Sequence, residues 1–353
     1  MKYFFLVLSI FTILGTLIPF LPSRHYLVQG WEFPVIQLMV IGTIGLIGSC
    51  FYYSALDGWM SVVIYSTAIC LIYLGTIVYP YVPIAPTLVK EVQDSRADRR
   101  IKVLSSNVLI DNKETTKLKN LIDEYDPDVI ALLEPDQYWA DEMAYLKEEY
   151  TNAVEIPLDN AYGLLFYSRL PTEGTETRYV IEEGVPSVVT TVRLPSGEPV
   201  KIYCVHPKPP SPTENTYSSE RDAELLIYGK EIAEEEKPVI IFGDLNDVAW
   251  SKTTRLFQKI SELMDPRKGR RPFHTFHADY WPLRWPLDHV FHSDDFKFVR
   301  MERLPHMGSD HFPIFIELEF QPSAAAEQEK PDATDEEEER ANEIIEEGAK
   351  KPS

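Results

Sequence analysis

Cysteine is nearly absent: Cys50, Cys70 and Cys204 are the only three in 353 residues. None forms a Cys-x-x-Cys pair, which argues against a thiolate zinc site and a disulfide framework. Each reads as a small buried hydrophobe. Positive charge is also scarce. Lys and Arg number 34 against 55 Asp and Glu, a net charge of −21. That balance disfavours an avid, nonspecific nucleic-acid binder, which shows a basic face. No Gly-x-Ser-x-Gly elbow, P-loop or dinucleotide fingerprint occurs, so no nucleophile or nucleotide motif competes for the chemistry. One further absence is local: three long apolar runs contain no charge at all.

Those runs are residues 3–21, 34–53 and 59–81. Each is about 20 residues, the helical length that spans a hydrocarbon core. Tyr3, Trp31, Tyr52, Tyr53, Trp59, Tyr79 and Tyr81 gather at their ends, as at a bilayer interface. Gly42, Gly45 and Gly48 give the second run a small face for close packing. No small-residue cleavage site follows the first run, so residues 1–86 read as an anchor of three transmembrane helices rather than a signal peptide. The expected localisation is a multi-pass membrane protein, of bacterial inner-membrane type, with the lipid bilayer as its partner. Lys90, Arg96, Arg99, Arg100 and Lys102 follow the third run and favour a cytoplasmic domain. No obligate protein partner is inferred.

Residues 87–100 are polar and read as a linker. Residues 101–320 then alternate strand and helix patterns. Strands are expected at 101–107, 129–133, 162–168, 188–194, 200–205, 239–242, 287–292, 296–302 and 312–320. Helices are expected at 113–125, 138–150, 218–236 and 253–262. The class is α/β, with sheets covered by helices. Residues 321–353 are acidic, with five consecutive acids at 335–339, and read as a disordered tail.

The stretch 239–246, Val-Ile-Ile-Phe-Gly-Asp-Leu-Asn, organises the domain. A buried strand runs into Gly243 and then displays Asp244 and Asn246. Gly243 allows close approach of backbone or ligand, and the strand holds both side chains rigidly. The same pattern recurs. Asn107, Glu134 and His206 follow strands; Asp288, Asp310 and His311 precede them. Any one has a structural explanation as a cap, a turn or a satisfied histidine. Together they point to one convergent site. The carboxylates suit Mg²⁺ or Mn²⁺ rather than zinc. Such an ion neutralises a phosphate, an Asp activates water, and a His bonds the phosphoryl oxygens.

The ordered set Asn107, Leu-Leu-Glu134, Val-His206-Pro, Gly-Asp244-Leu-Asn246, Leu-Asp288-His289 and Gly-Ser-Asp310-His311-Phe-Pro resembles the endonuclease/exonuclease/phosphatase superfamily across residues 101–320. The resemblance implies a four-layer sandwich of two facing mixed sheets flanked by helices. It implies cleavage of phosphoester bonds by a directly attacking water with a divalent metal. It assigns Glu134 as main metal ligand with Asn107 beside it, and Asp310 as a further metal-site or leaving-group carboxylate. Asp244 would activate the water, Asn246 hold the phosphate or that water, and His311, supported by Asp288, face the phosphate. His206 matches the phosphate-binding histidine of phosphatase-like branches. Where some nuclease members carry an acid two residues after the first Asn, this chain has Leu109.

Two segments are candidates for substrate binding. The prolines of 206–212 restrict the backbone and would hold Lys208 over the site. The cluster Arg267-Lys268-Gly269-Arg270-Arg271 precedes an aromatic stretch and would place Arg270 and Arg271 on a phosphorylated headgroup or at a bilayer surface. Residues 101–320 carry 24 basic and 39 acidic side chains, a net of −15. The expected function is a membrane-anchored, metal-dependent hydrolase of a phospholipid or small phosphorylated substrate. A DNA or RNA nuclease, disfavoured by charge, and an inactive membrane scaffold are the alternatives.

Overall fold

The computed structural model describes residues 1–52 and 58–350. Tyr53 and the residues 351–353 of the acidic tail lie outside them. Helix α1 (Lys2–Leu17) runs on through a 3-10 turn to Phe20, and the short α2 (Tyr26–Gln29) leads into α3 (Val35–Phe51) and α4 (Gly58–Val78). Among the described residues, two helices, Lys2–Phe20 and Gly58–Tyr81, are long and apolar enough to cross a membrane. The second apolar run differs from the expected straight span. Its helix has 17 residues, and it reaches spanning length only together with Tyr26–Glu32, across a 71° bend. Pro34 at the start of α3 removes a backbone donor, so α2 and α3 are not one continuous helix. The glycines of α3 let α1 approach: a Cβ on Gly45 would stand 2.8 Å from the Ser9 backbone nitrogen.

The domain begins with β1 (Arg100–Asn107), α5 (Thr115–Tyr125), β2 (Val129–Leu133) and α6 (Gln137–Met143). It continues with β3 (Asn152–Ile156), β4 (Leu164–Ser168), β5 (Thr172–Arg178), β6 (Ser187–Arg193) and β7 (Pro199–Cys204). Then come α7 (Ser219–Ala233), β8 (Val239–Asp244), α8 (Lys252–Ile260), β9 (Asp288–His292), β10 (Phe296–Arg303), β11 (Ile314–Phe320) and α9 (Asp335–Ala349). One sheet has the order β10-β11-β1-β2-β4-β3, the other β5-β6-β7-β8-β9. Side-chain alternation sorts the layers. Val103, Val129, Ala131 and Leu133 meet Ile202, Cys204, Ile240 and Phe242 between the sheets. Leu104, Ile130 and Leu132 face α5 and α6 through Leu118, Ile122 and Trp139. Tyr203, Val239 and Ile241 face α7 and α8 through Leu225, Tyr228 and Phe257. Strands buried on both faces explain the unbroken apolar runs of the sequence. The expected four-layer α/β sandwich is borne out.

Two expectations fail. Residues 87–100 are not a free linker: Val89 is fully buried, and Phe298 and Val92 exchange backbone hydrogen bonds with Lys90 and Phe298, extending the sheet edge beside β10. As far as Lys350 the acidic tail is not disordered. Its α9 is closed by a capping box at Thr334 and Glu337, and Ala341 and Ile344 are buried with α7 and α8. Apolar residues at three- to four-residue spacing form a stripe that the acid run conceals.

The N-terminal helices and the domain share a core. Val35, Leu38, Leu74 and Tyr81 from the helix bases pack with Val248, Ala249, Trp250 and Leu287. Tyr81 donates to the Ala249 carbonyl at 2.7 Å, and Trp250 Nε1 donates to the Glu32 carbonyl at 2.8 Å.

Candidate active site

Topology gathers the polar residues at one edge. β1 and β2 are parallel, as are β7 and β8, so Asn107, Glu134, His206 and Asp244 all lie where those strands end. β9 and β11 run antiparallel to β8 and β1 and therefore begin at the same edge. Asp288 pairs directly with Asp244, and Ser309–His311 enter just before β11. Gly243 makes the crossing tight. Its φ is +144°, and a Cβ there would stand 1.9 Å from the Val205 carbonyl oxygen. Glu134 and Asn246 also adopt the left-handed region, with φ of +62° and +51°. Backbone strain in non-glycine residues concentrates at functional positions.

The contacts are close. Asn107 Nδ2 donates to Glu134 Oε1 at 2.7 Å and to Asp244 Oδ2 at 3.2 Å. His206 Nε2 stands 4.0 Å from Glu134 Oε1. His311 Nδ1 bonds Asp288 Oδ2 at 2.8 Å, and its Nε2 is 3.4 Å from Asp244 Oδ2. Asp244 Oδ1 accepts from the Asn246 amide, and Asn246 Nδ2 donates to the Pro207 carbonyl. Ser309 Oγ ties the last segment to β1 by donating to the Asn107 carbonyl at 2.8 Å. Asp310 is half-buried, its carbonyl accepting from Ala278.

Burial sets the electrostatics. It pushes Glu134 up to about 7, with Asp244 and Asp310 adding to the rise. It also raises Asp244, against the pull of His311. His206 is lowered by burial and stays neutral at pH 7. Burial works against the His311 imidazolium, but the Asp288 and Asp244 carboxylates outweigh it and raise His311 to about 10.

A supporting network lies behind these groups; the sequence motifs contain its His289 and Arg267, but not the contacts they make or the buried Arg221, Asp222, Asp247 and Asp265. Buried Arg221 pairs with Asp222 at 2.7 Å and Asp247 at 3.2 Å, and donates to the Asn246 carbonyl. His289 Nε2 meets the Asp247 carbonyl at 2.8 Å, and its Nδ1 meets Arg267, which is itself fully buried and paired with Asp265. For Arg221 the sequence signal is charge inside an apolar pattern, on the inner face of a helix.

A model of the Endonuclease/Exonuclease/phosphatase family matches residues 104–311. The chain belongs to this family. The match contains every residue of the edge described above. The family is one of phosphoester hydrolases that generally use divalent metals, and the chain is an enzyme of that class. Similar solved structures share its fold. Humanized TDP2 of D. rerio, carrying 14 mutations, has a TM-score of 0.52 at 17% identity, covering 62% of this chain and 99% of that one. D. rerio TDP2 complexed with single-strand DNA product has a TM-score of 0.52 at 18% identity, with 62% and 98% covered. The human Nocturnin catalytic domain with bound sulfate has 0.52 at 18%, with 65% and 97% covered. No curated protein matches the chain.

The donor set fits the hard cation such enzymes use. Half-buried Glu134 and buried Asp244 and Asp288 set three carboxyl groups against the one His311 imidazolium. Buried Asp288 Oδ1 has no hydrogen-bond partner. Oxygen-rich, uncompensated carboxylate is what Mg²⁺ or Mn²⁺ binds. Asp244, Asp288 and His311 bring ligand atoms within 4.8 Å of one another, but both ring nitrogens of His311 face those carboxylates, so the trio forms an internal ion cluster. Asn107 differs from its expected role as a ligand: its amide nitrogen faces the carboxylates and its Oδ1 accepts from Leu109.

The three expected substrate-binding cations are placed otherwise. Lys208 is held 3.5 Å from both Glu182 and Glu214, at the rim beyond Tyr162. Arg270 does not reach the site: it donates to the Val89 carbonyl and stacks 3.7 Å over Phe298. Arg271 lines a separate cavity with Met301, Glu302 and Arg303. A dense basic run looks like a surface patch only while its acidic and aromatic partners, distant in sequence, are out of view.

Proposed function

We propose that this enzyme is a membrane-anchored phosphoester hydrolase that uses Mg²⁺ or Mn²⁺ and acts on a phospholipid or another small phosphorylated substrate at the bilayer. The observation that carries the reading is a shared edge. The strand ends bearing Asp244 and Asp288 are the ones whose loops, through Trp250 and Leu287, pack on the helix bases. A net of −15 on residues 101–320 weighs against long polyanions as substrates.

Glu134, with Asp310 nearby, would hold the cation, and Asn107 fixes the Glu134 carboxylate. The bound cation would neutralise phosphoryl charge and stabilise the leaving oxygen. Asp244 takes the proton of the attacking water, and burial raises its proton affinity toward that task. Neutral His206, whose buried Nδ1 has no partner, and Asn246 hydrogen-bond the substrate. His311 is kept cationic by Asp288 and Asp244, and its Nε2, which faces Asp244 at 3.4 Å, would turn to a phosphoryl oxygen as charge develops there.

The test uses the full chain in nanodiscs with Mg²⁺ against EDTA. Phospholipids, inositol phosphates and nicked and single-stranded DNA are offered in parallel, with Asp244→Asn as control. Metal-dependent release of phosphate or headgroup, absent from the variant, is the expected result. DNA cleavage with lipids untouched would make the enzyme a nuclease.

A further inference from the structure

The catalytic edge opens into an apolar groove of about 580 Å³, which reaches Asn246 and His311 at its inner end. The groove has three walls. Tyr26 and Phe33 come from the connection between α1 and α3, Pro209 and Pro210 from the loop after His206, and Leu283 and Trp285 from the segment before β9. The first and third walls are fastened. Tyr26 donates its amide to the Thr216 carbonyl, Phe33 meets the Trp285 ring edge-on at 5.7 Å, and the Trp285 amide bonds the Phe276 carbonyl. The volume is within the roughly 300–1,000 Å³ of small-ligand clefts. A bare phosphate or a sugar has no use for such walls.

The outer end of the groove lies at the helix bases. Gln37, in the first turn of α3, donates to the Pro282 carbonyl at 2.7 Å. Around that contact Tyr280, Trp281 and Leu283 stay 60%, 77% and 49% exposed. Large aromatic and aliphatic side chains exposed beside the end of an apolar helix match the composition of a membrane–water interface. One end of the groove therefore faces the bilayer surface and the other the phosphoester chemistry.

We propose that this groove receives the hydrocarbon chain of a membrane-borne phosphoester while its phosphoryl group lies against Asn246 and His311. The inference rests on the hydrolase reading above and adds a chain-binding site built partly by the anchor itself. The prolines of 207–212 act as a fixed wall, not as a platform for Lys208. Chain length becomes a determinant of specificity, expressed mainly in KM, because the chain binds equally in the ground and transition states.

The test measures kcat/KM of the full chain in nanodiscs for methyl, octyl and dodecyl phosphate, each as the monoester and as the 4-nitrophenyl diester. The expected result is at least a tenfold rise from methyl to dodecyl. Partition into the nanodisc contributes to that rise equally for every variant, so variants isolate the groove. Phe33→Ser and Leu283→Ser lower the dodecyl-to-methyl ratio at least fivefold, whereas Phe33→Leu retains it. Thermal unfolding of each variant excludes a folding defect. Hydrolysis with the same ratio in wild type and both serine variants would overturn the groove and leave the hydrolase reading standing. No hydrolysis of any ester under conditions where DNA is cut would overturn both.

Discussion

Gly243→Ala is the sharpest test of the site's construction. The new Cβ would meet the Val205 carbonyl at 1.9 Å, so β7 and β8 must separate by about 1.5 Å to reach an ordinary contact. The φ of +144° adds strain that any L side chain resists. Together these cost about 3 kcal/mol or more. The displacement falls between His206, which follows Val205, and Asp244, which follows Gly243. A misplacement of about 1 Å lowers turnover about a hundredfold. Gly197→Ala is the matched control: its φ is +99°, but nothing lies within 4 Å of the new Cβ. It should cost about 1 kcal/mol and leave kcat alone. Thermal unfolding of the full chain in detergent and hydrolysis of a 4-nitrophenyl phosphodiester are the assays. Equal effects of the two substitutions on kcat would refute the reasoning.

Asp244→Asn and His311→Ala should each lower kcat/KM at least about a thousandfold in chains that still fold; turnover within tenfold of wild type in either would remove that residue from the chemistry. Arg221→Met strands Asp247 in the interior, leaves Asp222 with Arg24 alone, and should cost about 3–5 kcal/mol by thermal unfolding. Asp265 is buried, which disfavours its ionisation, yet the Arg267 guanidinium outweighs this and holds its carboxyl below the usual range. A depressed folded value gives stability that is present at neutral pH and lost as pH falls through it. The stability gap between wild type and Asp265→Asn should therefore shrink below about pH 4; a gap constant from pH 7 to pH 3 would contradict this.

What was legible in the sequence follows from burial. Val129–Leu133 and Val239–Phe242 are covered on both faces, so their composition announces strands and, with them, the sandwich. β3 and β5 went unread because they are edge strands without a buried apolar run. Thr172–Arg178 is largely exposed and carries two glutamates, the charge that protects an edge from further pairing. The site residues were legible as types at strand ends, but their partners were not. That Asn107 turns its nitrogen to Glu134, that Arg221 lies under Asn246, and that Arg270 stacks on Phe298 all depend on chain segments brought together only by folding.

The core shared by helix bases and domain bears on how this enzyme behaves once divided. Cut away from its helices, the domain would present Val248, Ala249, Trp250 and Leu287 to water as one apolar patch, with the Trp250 indole N–H stripped of its Glu32 acceptor. A patch of that kind drives self-association. Precipitation of a helix-free fragment would then report a missing partner surface rather than a misfolded sandwich, and detergent would rescue it where a refolding screen would not.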